Sequence, residues 1–138
     1  MVDVLGNGLH RDRFYPHIKE VVSAILQSSD VVTPIDVLVG LEVITPEQID
    51  QWRRGELPYL ERGMTAGLAR VSRILRVLRE HALELGLVPT PGKYSRKGKG
   101  ARGRLRFSKS GEAESEAAYA CHFVRRRPAS TETGEAKP

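Results

Sequence analysis

Residues 33–55, TPIDVLVGLEVITPEQIDQWRRG, announce two short helices by one device, the pair Thr33-Pro34 and then Thr45-Pro46. A threonine hydroxyl accepts from the free N–H groups of a first turn, and proline at the first helical position gives up no bond it would have made. The second start is the better specified. Thr45 and Gln48 have the spacing of a capping box, and Glu47 suits the positive end of the helix dipole. Ile35, Leu38 and Val39 supply an inner side for the first helix, and Ile49 and Trp52 supply one for the second. Gly40 and Gly55 are the expected helix stops.

Outward from this pair the pattern stays helical. Ile18, Val21, Val22, Ile25 and Leu26 fall on one stripe, which predicts a helix from near Arg11 to the cluster Ser28-Ser29-Asp30. Residues 1–10 carry no sustained period and are expected to be flexible. On the other side, Leu57-Pro58-Tyr59-Leu60 reads as an extended or turning connector. A long helix is then predicted from about Thr65 to Leu85, because Leu68, Val71, Leu75, Leu78, Ala82 and Leu85 alternate steps of three and four. Gly86 and Pro89 stop it. The seam falls short of three heptads, so packing inside its own domain is expected, with a homodimer through Leu68, Val71, Leu75 and Leu78 as the other use of that face.

Past Pro91 the period changes and the charge concentrates. Residues 1–64 hold six basic against ten acidic groups, whereas Lys93–Lys109 holds eight basic residues and no acidic one in 17 positions. Three glycines at 98, 100 and 103 favour a turn, so a basic β-hairpin over about 93–109 is the economical reading, with Tyr94 across from Phe107. Glu112–Tyr119 is a short amphipathic segment whose carboxylates are expected in solvent, and Tyr119–Val124 leans apolar. The predicted fold is mainly α: one helical domain over 11–124 with a helix-turn-helix-like pair, one long helix and a C-terminal basic hairpin, then a disordered tail over 125–138.

The pair at 33–55, with its Leu41-Glu42-Val43 link, resembles the generic helix-turn-helix over about 20 of 138 residues. The resemblance implies that Gln48, Gln51 and Arg54 approach base edges, since glutamine pairs with adenine and arginine with guanine. Glu47, Asp50 and Glu56 lie on or beside the same helix and oppose phosphates, so a plain helical corner with Trp52 in the core is the competing reading.

Several function classes are excluded or unsupported. The longest uncharged stretch, Val21–Ser29, has nine residues, whereas a spanning helix needs roughly 20. The first residues lack a signal-peptide core and Cys121 has no partner cysteine, so a reducing cytoplasm is expected. Cys121-His122 is not spaced as a metal pair and His10, His17 and His81 lie far off, so no metal and no cofactor is expected. The glycines at 98, 100 and 103 precede no helix, which removes a phosphate-binding NTPase loop. No catalytic constellation emerges, and the chain is expected not to be an enzyme. The concentrated charge points instead to a small regulatory module that binds DNA more readily than RNA, without chemistry. Its contacts are Lys93, Arg96, Lys97, Lys99, Arg102, Arg104, Arg106 and Lys109 on phosphates, Tyr94 or Phe107 stacking, Arg53 and Arg54 as secondary contacts, and Gln48 and Gln51 toward bases. The alternative is an adaptor or regulatory subunit that docks a protein through the long helix, with the basic hairpin on an acidic partner surface.

Overall fold

The computed structural model describes residues 11–92, 94 and 105–126. Its elements in chain order are α1 (Tyr15–Leu26), β1 (Val31–Val32), α2 (Pro34–Gly40), α3 (Pro46–Arg53), a 3-10 turn (Leu60–Gly63), α4 (Leu68–Glu84), β2 (Val88–Pro91), α5 (Ala113–Ala120) and β3 (Cys121–Val124). Helices dominate, as the sequence predicts, but they share the core with a three-stranded antiparallel sheet in the order β1-β3-β2.

The start signals act as their chemistry requires. Thr33 Oγ1 accepts from Asp36 N at 3.1 Å, and at Thr45 both halves of the capping box form. The stop signals are more instructive. Gly55 and Gly86 take φ of +83° and +82°, and in each case the two backbone bonds of a Schellman end close the helix. Gly40 does not serve as a stop. It is the last residue of α2, and the left-handed position falls two residues later on Glu42, at φ +63°, with Val43 N donating to Leu38 O at 2.9 Å. Gly40 is needed for contact instead: a Cβ there would lie 2.6 Å from Val21 Cγ1, so the missing side chain is what lets α2 close on α1.

The sheet was the part least visible in sequence. β1 has two residues, and β3 takes β1 on one side, pairing Val32 with Phe123, and β2 on the other, pairing Val88 with Val124 through Pro91 with Cys121. Pro89 and Pro91 lack N–H groups, which suits the free edge of β2 and blunts further strand addition. Of the expected hairpin over about 93–109, the glycine-rich tip and most of the first arm lie outside the described residues, and Leu105–Ser108 of the second arm is not assigned as a strand. Arg125, assigned by the sequence to a disordered tail, is fixed by Asp30 at 3.2 Å and by the Leu26 carbonyl at 2.8 Å.

α4 packs its stripe inside its own domain. Val71 and Leu78 of the heptad seam are fully buried, Leu75 is half-buried, and Leu68 is 57 % exposed. α1 crosses α4, where Asp12 accepts from Phe14 N at 2.8 Å and meets Arg73 Nε at 2.7 Å, and Tyr15 stands edge-on to buried His81. Among the described residues no helix is long and apolar enough to cross a membrane.

Candidate nucleic-acid interface

Two stretches read separately in the sequence meet at Trp52. That side chain is fully buried, and its Nε1 donates to the Arg106 carbonyl at 2.8 Å. Its ring touches Tyr94 and Phe107, at 5.6 and 5.0 Å between centroids. The C-terminal end of α3 is thereby joined to both roots of the basic segment. Tyr94 does face Phe107, edge-on at 5.2 Å, and Leu105 N donates to Tyr94 O at 3.2 Å. On its other side the second arm is bonded to the 3-10 turn, with Leu60 N donating to Arg106 O and Glu61 N to Phe107 O. This short extended run is thus bonded along both edges.

Two carboxylates hold the end of this arm and the turn beyond it. Glu116 on α5 accepts from Phe107 N, from Ser108 N at 2.7 Å and from Ser108 Oγ at 2.7 Å. Glu61 accepts from Lys109 N at 2.9 Å and from the Tyr119 hydroxyl at 2.8 Å. Burial, reinforced by the Glu61 hydrogen bond, raises the Tyr119 hydroxyl far above its ordinary pKa, so it stays a donor. Glu116 therefore is not the solvated helix residue expected from its neighbours. Its partners lie eight and nine positions upstream, a separation for which no local pattern gives a signal.

The first root is held by rings. Tyr94 Oη lies 3.0 Å from His122 Nε2 on β3, and burial raises the Tyr94 pKa. Gly92 permits that approach, because a Cβ there would lie 2.6 Å from both His122 Nε2 and the Ala120 carbonyl. Phe107 stacks flat on Tyr119 at 5.5 Å and is 4 % exposed, so it is a core residue and not a platform for bases.

The expected contact residues separate clearly. Arg53 is half-buried with its guanidinium 5.8 Å from the Tyr94 ring, and its Nε is buried without a hydrogen-bond partner among the described residues. Arg54 points elsewhere: it pairs with Asp50 and, at 2.9 Å, with Glu56. Glu56 is the leading cause that raises the Arg54 pKa, and the same bond lowers that of Glu56. Gln48 spends its amide oxygen on Thr45 N and Oγ1, while Gln51 is half-buried. Arg106 braces its own turn, donating to the carbonyls of Ser108 and Lys109, and lies 6.0 Å from the Tyr59 ring. Lys109 is exposed beside it. Lys93, just before Tyr94, and Arg96, Lys97, Lys99, Arg102 and Arg104, between Tyr94 and Leu105 in sequence, lie outside the described residues.

An open groove of about 1300 Å³ adjoins the site, between α4, β2 and α5, with Leu75, Pro91, Ala117 and Cys121 among its lining. Among the described residues no group of three or more His, Cys, Asp or Glu side chains is placed to hold a metal ion. The chain matches no family model, no curated protein and no solved structure.

Proposed function

We propose that this protein binds nucleic acid, duplex DNA before RNA, as a small regulatory module without chemistry of its own. The observation that carries the reading is the Trp52 junction, which sets the end of α3 against both roots of a segment with eight basic residues and no acidic one. Tyr94 and Leu105–Lys109, which flank most of that charge in sequence, are fixed by Trp52, Glu61, Glu116 and His122, and a run of eight basic residues with no acidic one suits a phosphate backbone. Lys97, Lys99, Arg102 and Arg104 neutralise phosphates, with Lys93, Arg96, Arg106 and Lys109 at the margins. In this reading α2 and α3 act as a helix-turn-helix together with the basic segment. Gln51 is the glutamine of α3 whose amide oxygen has no hydrogen-bond partner among the described residues, and it is the one offered to bases.

Fluorescence anisotropy of labelled duplex DNA, single-stranded DNA and RNA, titrated at several salt concentrations, tests this. If about five phosphates are contacted, log affinity for duplex falls with log salt at a slope of about −4 to −5. Alanine at Lys97, Lys99, Arg102 and Arg104 together should remove most of that slope. A flat salt response, or full binding by the variant, contradicts the reading.

A further inference from the structure

We infer that Arg53, and not its neighbour Arg54, is the cation through which α3 meets the polyanion. The inference rests on the nucleic-acid reading and assigns one residue within it. The two arginines are adjacent at one helix end and carry the same formal charge, so composition cannot separate them. Consecutive helical residues point about 100° apart, and that rotation decides their surroundings.

Arg54 turns to the acidic side. Its guanidinium is shared by Asp50 and Glu56, and with two carboxylates against one cation the group carries a net charge of −1. A phosphate arriving there has to displace a carboxylate and then sits beside it. Arg53 turns to Tyr94. No carboxylate pairs with it among the described residues, and its Nε is buried with no partner there. Its guanidinium lies against the face of Tyr94, a ring that is itself fixed by Trp52, Phe107 and the contact with His122. An arginine backed by an aromatic face keeps its fork of outer N–H donors for a bidentate partner, and fixing it beforehand reduces the ordering cost of binding. The Arg53 charge stands over Tyr94, the described residue at which the basic segment begins to leave the body, and the Tyr94 carbonyl accepts from Leu105 N where the segment returns.

The test is a charge-matched pair, Arg53→Gln and Arg54→Gln, compared by duplex anisotropy across salt, with the four-alanine loop variant and Arg53→Lys alongside. Each glutamine removes one positive charge from the same helix end, so long-range electrostatics change equally. Loss of one phosphate contact reduces the salt slope by about 0.9 and weakens binding about 8-fold at 0.1 M salt. Arg53→Gln should show that loss, Arg54→Gln should stay within about 2-fold of wild type, and Arg53→Lys should recover most of the slope, since one phosphate contact accounts for about 0.9 of it. Equal losses for the two glutamine variants, or a larger one for Arg54→Gln, overturn the inference while leaving the reading in place if the loop variant has lost binding. Should Arg53→Gln fail to fold, by its thermal transition, Arg53→Ala and Arg53→Lys decide: a slope unchanged in both overturns the inference. Wild-type protein that binds no nucleic acid at low salt defeats the broader reading, and this assignment with it.

Discussion

Between α1 and α4 the chain is held by apolar side chains on helical stripes, whereas at the root of the basic segment it is held by a few donors and acceptors drawn from distant places. The first region spreads its cohesion over Ile18, Val22, Val71, Ile74 and Leu78, all essentially buried. The second concentrates it in Trp52 Nε1, Glu61 and Glu116, each bonded to backbone 8 to 54 positions away. Truncating one apolar side chain costs its burial and the cavity left behind, whereas removing one member of a polar anchor also leaves a buried partner that keeps its desolvation cost. The contrast also divides labour: the helical side builds apolar core, and the anchored side flanks the basic segment, eight basic residues in 17 positions.

The largest effect is expected where the two regions touch. Trp52→Ala removes a fully buried ring and orphans the Arg106 carbonyl from one of its two donors, and it should cost about 3–5 kcal/mol in denaturant unfolding. A loss below about 1 kcal/mol would mean that the root is not built on Trp52. Glu116→Gln should cost about 2 kcal/mol, since one amide oxygen cannot serve the acceptor roles of the carboxylate. Its sharper signature is local: amide exchange at Phe107 and Ser108 should accelerate more than at Val71–Leu78. Uniform acceleration across both would erase the distinction between the regions.

A pH titration examines the same anchor. Tyr119 holds its proton in the folded chain well above the ordinary tyrosine value of 10.0, so above that pH the unfolded chain releases a proton that the folded chain keeps. The unfolded state binds fewer protons there, and stability should fall as pH rises past about 10. Tyr119→Phe should flatten that alkaline decline, at a cost of about 1 kcal/mol near neutrality from the lost bond to Glu61. An unchanged alkaline slope in the variant would remove Tyr119 from the anchor. The smallest effect belongs to the helical side: Glu42→Gly should stabilise the protein by roughly 1 kcal/mol, because glycine takes the left-handed position without the Cβ penalty.

This division tracks what sequence can and cannot disclose. The α1 stripe, the Thr45–Gln48 box and the Gly55 and Gly86 ends are local, because their partners lie within a few positions, and all form where the residues place them. α4 begins at Leu68 and ends at Glu84, inside the stretch its apolar steps mark out. What escaped is non-local. A two-residue β1 is too short to show alternation, and β3 comes directly after α5, so its apolar residues read as the end of an amphipathic segment. Gly40 illustrates the ambiguity of a single residue type, since its position at a helix end suggests a stop and its contact with Val21 shows a packing role. In the candidate site, the charge of the basic segment and the pairing of Tyr94 with Phe107 were legible. The separation of Arg53 from Arg54 depends on which side of α3 Tyr94 packs, and the use of Glu61 and Glu116 as anchors on contacts with 107–109, and no local pattern encodes either.

In the proposed function the end of α3 and the basic segment act together on one nucleic acid. The most direct measurement is a ¹⁵N-resolved NMR titration of the full chain with a short DNA duplex at low salt. Shifts are expected at Arg53, Gly55, Tyr94 and the amides of 93–109, with α1 and the buried face of α4 unmoved. Shifts centred on the exposed arginines of α4, Arg70 and Arg76, or none at any residue, would contradict the account.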